Sequence, residues 1–352
     1  MNHLPGRTDV FVVGGGPAGL ATAIAAGRHG LDVVVADQAV PPIDKACGEG
    51  VMPDGLAAAL ALGIDLERAG GYPFRGIRFQ QSDRYVNADF PEGRALGIRR
   101  TALHPLLVGE AERAGVQLAW GMRTKGIAGD GAFVEGQFVR ARWIVGADGG
   151  RSLVRRWAGL NGFRRESVRY GFRQHYALAP WSEFMEIHWG DQCQFYVTPI
   201  DSEAICVALL SHDPRFRITD ALPLFPDLER RLGYAPVTTQ ERGAVSATRR
   251  LRRVATGHVA LVGDASGSVD AITGEGLCLL FQQAAALGNA MAAGDLTLYE
   301  RAHKRISRRP RFMSDLLLLL DRRRRIRRGV IRAMAAHPPI FERMLALHVG
   351  VR

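Results

Sequence analysis

Gly14, Gly16 and Gly19 stand two and three residues apart, and Asp37 follows 18 residues after the last of them. That spacing suits the binding of a dinucleotide. Gly14 permits a tight turn, Gly16 lets the backbone approach a pyrophosphate, and Gly19 lets a helix pack closely on its strand. Ala18 lies inside the same turn and joins the expected binding set. Asp37 is placed to accept hydrogen bonds from the ribose hydroxyls of an adenosine, and its charge disfavours a 2′-phosphate there. Two later segments end an apolar run in Gly–Asp or Asp–Gly: Gly146-Ala-Asp148-Gly149 after Trp143, and Gly263-Asp264 after His258. Residues 273–276, Thr-Gly-Glu-Gly, precede an Ala- and Leu-rich stretch, so that Gly274 and Gly276 would open a helix whose first N–H groups face an anion or a carbonyl.

These groups need particular elements to hold them. Residues 9–13 read as a strand, 20–29 as a helix and 32–36 as a second strand, which together make a βαβ unit. The segment after Gly149-Gly150 reads as a basic helix. Residues 74–90 read as a hairpin turning near Ser82-Asp83, and 168–178, 184–189, 192–198 and 204–210 as a meander. From Leu298 the pattern is helical. The fold class expected is α/β: a dinucleotide-binding Rossmann-like domain in separated segments (1–73, 91–165 and 250–297), an inserted mostly antiparallel β-sheet substrate domain (74–90 and 166–249) and a C-terminal helical region (298–352).

Composition narrows the function. The chain has 352 residues, 47% hydrophobic and 23% charged, which excludes a disordered or disulfide-stapled class and suggests about two domains. Cys47, Cys193, Cys206 and Cys278 offer no C-x-x-C pair, so no metal site is expected and a reducing cytoplasm fits. The longest aliphatic run, Leu316 to Leu320, is far short of a membrane span. The formal charge is +11, and residues 301–332 alone hold 13 Lys and Arg against Asp315 and Asp321, so the remainder is neutral. Phe312, Leu316, Leu319, Ile326, Val330 and Met334 recur at mostly helical spacing with Arg322 to Arg325, Arg327 and Arg328 largely off that stripe. The reading is a core-facing stripe with a solvated arginine face; the alternative is a peripheral membrane or acidic carrier-protein contact through 312–334. No aromatic interleaving accompanies the arginines, so no nucleic-acid partner is expected.

The four elements in this order, with the sheet between them, resemble the FAD-dependent group that shares the para-hydroxybenzoate hydroxylase fold. The resemblance implies that Asp264 holds the ribityl chain of FAD, that Asp148 packs by the pyrophosphate, that Arg100 contacts FAD and that NAD(P)H is the electron donor. The Gly-Asp-Ala-Ala-His and Pro-Pro pattern of aromatic hydroxylases is absent after Gly263, and the Trp-x-Trp-x-Ile-Pro motif of flavin halogenases is absent throughout. Lys45-Ala-Cys47-Gly48-Glu-Gly50 and Thr273-Gly-Glu-Gly276 look like the geranylgeranyl-reductase-like branch and its flavin hydroxylase relatives.

On that resemblance Cys47 and Gly48 lie beside the flavin. Cys47 reads either as a flavin or substrate contact or as a buried small hydrophobe, and Glu49 equally as a loop charge. Arg173, His175, Tyr196 and Pro199 would form a roof over the flavin, with His175 and Tyr196 as catalytic candidates beside Cys47. The function expected is an NAD(P)H-dependent FAD monooxygenase hydroxylating a lipophilic or aromatic (polyketide- or isoprenoid-like) substrate. The alternatives are an isoprenoid-type alkene reductase and a flavin- or nucleic-acid-binding protein without turnover. The expected location is the cytoplasm, with membrane association left open.

Overall fold

The structure is a computed structural model that describes residues 4–81 and 84–350, with only the backbone described at 163–167. The hairpin turn expected at Ser82-Asp83 lies outside the described residues. Two large sheets dominate. The first runs Ala255–Thr256, Val259–Leu261, Gln137–Gly146, Arg7–Val13, Val33–Asp37 and Gln117–Trp120, with an antiparallel annex of Thr124–Ala128 and Gly131–Val134 on the long third strand. Its four pairings from Val259–Leu261 to Gln117–Trp120 are parallel, and only the outermost hairpin, Ala255–Thr256 with Val259–Leu261, is antiparallel. The parallel strands are buried on both faces and read accordingly as near-continuous Val, Ile and Ala.

Register aligns the carboxyl ends of these strands. Val13 pairs with Gly146 and with Ala36, and Gly146 pairs with Leu261. The chain lays down strands to one side of Arg7–Val13 first and to the other side later, so the topological switch lies between Arg7–Val13 and Gln137–Gly146. A crevice opens at such a switch, outside the strand ends. Asp37 ends its strand, and Gly14, Asp148 and Gly263 sit just beyond the ends of theirs.

The second sheet has seven strands in the order Arg242–Leu251, Phe163–Ala177, Ala204–Ser211, Cys193–Asp201, Phe184–Trp189, Gly76–Gln81 and Arg84–Asp89. It is antiparallel except where Phe184–Trp189 runs parallel to Gly76–Gln81, the pairing that brings the early hairpin into the later sheet. A small sheet of Gly50–Val51, Ala95–Gly97 and Tyr72–Phe74 lies between the two. Its Gly97 is pressed on the seven-stranded sheet: a Cβ there would stand 1.7 Å from the Pro199 carbonyl oxygen. The architecture is the expected α/β one, with a Rossmann-like parallel sheet, further antiparallel sheets and C-terminal helices.

The C-terminal helices depart from the expected pattern. They run Leu296–Arg322, Arg324–Ala336 and Pro338–Val349, with a break at Arg323 (φ −119°, ψ 78°). The break frees the Asp321 carbonyl, which accepts a hydrogen bond from Arg327 Nη1 at 3.2 Å instead. Arg327 is therefore 1% exposed, paired with Asp191 at 2.5 Å and stacked over Trp189, rather than solvated. The expected core-facing stripe is also wrong in part. Phe312, Leu319 and Ile326 are 64, 47 and 46% exposed, while the buried face of the first helix uses His303, Ser307, Pro310, Met313, Ser314, Leu317 and Leu318.

Candidate functional site

The turn after Arg7–Val13 is built by contact. Gly14 has φ +109°, and a Cβ there would lie 2.6 Å from the Ala147 carbonyl oxygen across the switch point. A Cβ on Gly19 would lie 1.9 Å from the Gly14 carbonyl oxygen, so only glycine lets the helix Pro17–Gly27 start so close to its strand. At Gly16 nothing stands within 4 Å of such a Cβ, and no side chain caps the helix it begins. The first N–H groups are thus open toward the crevice, the arrangement a pyrophosphate requires. Ala18 faces Gly263 across this opening, since a Cβ on Gly263 would stand 2.6 Å from that of Ala18.

Asp37 holds the turn from the neighbouring strand. Its Oδ2 accepts the Gly15 N–H at 2.7 Å and its Oδ1 the Ala39 N–H at 2.8 Å. A carboxylate has about four acceptor positions, so it retains capacity for ribose hydroxyls. Asp148 accepts the N–H groups of Leu153 and Val154 at 2.6 and 3.1 Å and so starts the short basic helix Leu153–Trp157. Asp264 pairs with Lys45 at 2.9 Å, both side chains about half exposed. Gly274 has φ +69°, and the helix Gly276–Ala292 that follows it has no side-chain cap either. These residues, with Cys47, Gly48 and Arg100, line one cavity of about 1070 Å³. The guanidinium Nε of Arg100 is buried there without a hydrogen-bond partner among the described residues. Open helix starts, an unfilled glycine cradle and an unpartnered buried cation together fit the phosphate and flavin ends of FAD.

The far side of the cavity is the seven-stranded sheet, with Tyr170, Phe172, Met185, Tyr196, Leu209 and Leu210 on it. Here the structure joins residues the sequence left apart. Glu49, 1% exposed and at φ +60°, accepts His175 Nε2 at 2.7 Å with one oxygen and the Arg100 backbone N–H at 3.1 Å with the other. Arg173 Nη1, which can only donate, lies 3.1 Å from His175 Nδ1. Nδ1 is therefore the accepting nitrogen, and Nε2 carries the proton shared with Glu49. Arg173 is anchored in turn by Asp44 at 2.5 Å, and Asp44 by Arg242 at 2.8 Å. His175 does not line the cavity; it stands behind Glu49, which does. Tyr196 lines it, but its hydroxyl donates to the Ile272 carbonyl at 3.0 Å and burial pushes its pKa far up.

Burial also pushes up the thiols of Cys47 and Cys206, so each stays protonated near neutrality. Ligand atoms of Glu49, His175 and Cys206 come within 4.8 Å of one another. The Glu49–His175 hydrogen bond and the protonated Cys206 make that cluster a hydrogen-bonded node rather than a ready metal site.

Sequence reasoning missed three further groups. His104, buried, hydrogen-bonds the Gly15 carbonyl at 2.9 Å and docks the helix Arg100–Arg113 on the glycine turn; burial lowers its pKa and keeps it neutral. Its position four residues beyond Arg100 was the available signal, since that spacing puts both on one helix face. Glu275 is buried against Asp54 and His348, and burial followed by the Asp54 charge pushes its pKa up to about 8. His348 reaches it from the last helix at 3.7 Å, and burial lowers the imidazole to about 4.

Known proteins resemble this chain in sequence and in fold. The menaquinone reductase of Mycobacterium tuberculosis (strain ATCC 25618 / H37Rv) is 28% identical over 306 residues, covering 76% of this chain and 72% of that protein. The digeranylgeranylglycerophospholipid reductase of Methanosarcina acetivorans is 26% identical over 326 residues, covering 85 and 76%. The rifampicin monooxygenase of Streptomyces venezuelae is 31% identical but covers only 43% of this chain and 34% of its own length. Among solved structures, a flavoprotein/dehydrogenase from Cytophaga hutchinsonii superposes with a TM-score of 0.85 at 17% identity, covering 97% of this chain and 92% of that one. The family model for the FAD binding domain matches residues 7–295, and the chain belongs to that family of FAD-dependent oxidoreductases.

Proposed function

We propose that this protein is a reductase that saturates a carbon–carbon double bond of a lipophilic, isoprenoid-like substrate, with NAD(P)H as the source of electrons. The carrying observation is the single cavity that runs from the glycine turn to the apolar wall of the seven-stranded sheet. At about 1070 Å³ it exceeds the usual range for one drug-sized ligand, about 300–1,000 Å³. The relatives matched over more than three quarters of this chain are reductases of lipids that carry isoprenoid chains, which supports the same reading.

When bound, FAD supplies hydride transfer. In this reading Gly14, Gly16, Ala18 and Gly19 hold its pyrophosphate, Asp37 its ribose, and Asp148, Asp264, Arg100 and Gly48 the parts between phosphate and ring. The N–H groups at Gly274 and Gly276 would face the pyrimidine edge of bound FAD and favour negative charge there. Saturating a double bond needs a proton as well as a hydride. Cys47 lines the cavity with a thiol that burial keeps protonated, and it is the proton donor we assign. Glu49 and His175 position the loop that carries Cys47, and Tyr196 fixes the 271–273 turn through Ile272.

Hydroxylation of the same class of substrate is the second reading, favoured by the hydroxylase relatives that match 43–45% of the chain. An anaerobic mixing experiment separates the two. Protein loaded with FAD and reduced beforehand is mixed, in the absence of O₂, with a polyprenyl lipid that carries no quinone ring. Reoxidation of the flavin absorbance with a product that has gained H₂ supports alkene reduction, and a product that gains an oxygen atom only after O₂ is admitted supports hydroxylation.

A further inference from the structure

The helix Leu296–Arg322 has one face buried in the protein and one that nothing among the described residues covers. On the open face Leu298, Arg305, Phe312 and Leu319 are spaced seven residues apart. Seven residues turn an α-helix 20° short of two full turns, so all four fall within a sector of about 60°. Leu298, Phe312 and Leu319 are 42, 64 and 47% exposed. Arg301, Arg308 and Arg322 follow one shoulder of this line, again at multiples of seven, and Lys304 stands beside Arg305; all four are exposed. The three acids of the helix do not offset these cations, because Glu300 faces Arg253 and accepts the Val254 N–H, Asp315 is held by Arg250 and Asp321 by Arg169.

We propose that this face lies flat on an anionic bilayer surface, with Phe312 and Leu319 inserted among the headgroups and the surrounding cations on lipid phosphates. The helix is about 40 Å long, and no helix among the described residues is long and apolar enough to cross a membrane, so the contact is interfacial. A protein partner fits less well. A stable protein interface needs a contiguous apolar core over about 800 Å² per side. Here the apolar contact is small: Leu298 stands about 20 Å from Phe312 with Arg305 between them, and only the partly exposed Leu316 joins Phe312 to Leu319. Headgroups accept such insertions one at a time.

The buried face of the same helix meets the cavity wall. Ser314 accepts the Asp270 N–H at 3.4 Å, and Arg169 joins Asp270 at 3.3 Å to Asp321 at 2.5 Å. Asp270 lines the cavity and begins the 271–273 turn. A lipophilic substrate dissolved in the bilayer would then reach the cavity from one side of a helix that rests on that bilayer.

The test is vesicle flotation of the FAD-loaded full chain, which reads binding without turnover and so fails or succeeds independently of the reductase assignment. Vesicles of phosphatidylcholine alone are compared with vesicles containing phosphatidylglycerol, at low and high salt. Binding is expected only to the anionic vesicles and to fall with salt. The double variant Arg305→Glu/Arg308→Glu should bind at least about 25-fold more weakly, from roughly fivefold per cation at an anionic surface. Phe312→Ser/Leu319→Ser should lose at least about tenfold through lost apolar insertion. All four positions are exposed, and unchanged FAD content confirms that the variants fold. Absence of binding to anionic vesicles at low salt overturns the proposal. Binding that ignores Phe312→Ser/Leu319→Ser overturns it too, and would mark a purely electrostatic surface suited to an acidic protein.

Discussion

Glu49 is the residue whose loss the structure makes most expensive. It is buried at 1% exposure, sits in the left-handed region at φ +60° and accepts hydrogen bonds from two otherwise unrelated elements. Glu49→Ala leaves the His175 Nε2–H and the Arg100 N–H without an acceptor. An unsatisfied buried donor costs about 1–3 kcal/mol, and the bond to a carboxylate is at the stronger end, so a total of about 3–4 kcal/mol is expected. Glu49→Gly suffers the same two losses but relieves the left-handed backbone, worth about 1 kcal/mol, and should lie near 2–3 kcal/mol. Glu49→Gln keeps an amide oxygen for one donor and should cost about 1–2 kcal/mol. Urea unfolding of the FAD-loaded protein, followed by tryptophan fluorescence, gives the three values at fixed flavin concentration. The order Gln, Gly, Ala from mildest to worst is the signature of a hydrogen-bonded node on a strained backbone. All three variants within about 0.5 kcal/mol of the wild type, as for an ordinary surface charge, would refute the reasoning.

Other consequences are open to direct measurement. Glu275 binds its proton more tightly folded than unfolded, so stability should fall as pH rises from about 4.5 toward about 8 and then level off. Glu275→Gln should therefore melt higher than the wild type at pH 8 and close to it at pH 4.5; a constant difference at both pH values would remove the assignment. Gly19→Ala drives a methyl into the Gly14 carbonyl oxygen and should cost about 1–3 kcal/mol and release FAD, both visible in a thermal melt with flavin fluorescence. Asp264→Ala should weaken FAD retention by roughly 1–3 kcal/mol in equilibrium dialysis, whereas unchanged affinity would place Asp264 outside the flavin contact. Arg327→Glu should destabilise the fold by about 3 kcal/mol or more, since it puts a carboxylate beside Asp191, while Arg322→Glu, exposed, should stay within about 0.5 kcal/mol.

The cofactor side of the site was legible because backbone geometry leaves no choice of residue there. Only glycine fits at Gly14 and Gly19, and strand ends read plainly as runs of Val, Ile and Ala closed by Gly and Asp. The four segments of the later sheet were legible as runs of six or more residues rich in aromatic and branched apolar side chains, bounded by turn residues, a signal that survives without tertiary knowledge. The Glu49 node was not, because its partners Arg100 and His175 lie 51 and 126 residues away and nothing local marks a loop glutamate as buried. The small sheet escaped notice because strands of two or three residues show no period.

The error in the C-terminal helix has a physical source as well. Leu316 to Leu320 place apolar side chains at every azimuth, so periodicity alone does not choose a face. The face that is buried is carried by serines, a histidine and a proline, small or partnered groups that allow close approach: Ser266 Oγ meets His303 Nε2 at 2.9 Å there. Arg327 was misread for the complementary reason, that a guanidinium is assumed solvated unless a carboxylate and an open carbonyl are known to await it.

What the cavity does to its substrate is read most directly from the mass of the product. Incubated with FAD, NAD(P)H and a polyprenyl lipid that carries no quinone ring, the protein should yield a product that has gained H₂ at one double bond, equally with and without O₂. A product that has gained an oxygen atom, and forms only in air, would contradict the reductase reading and install hydroxylation in its place.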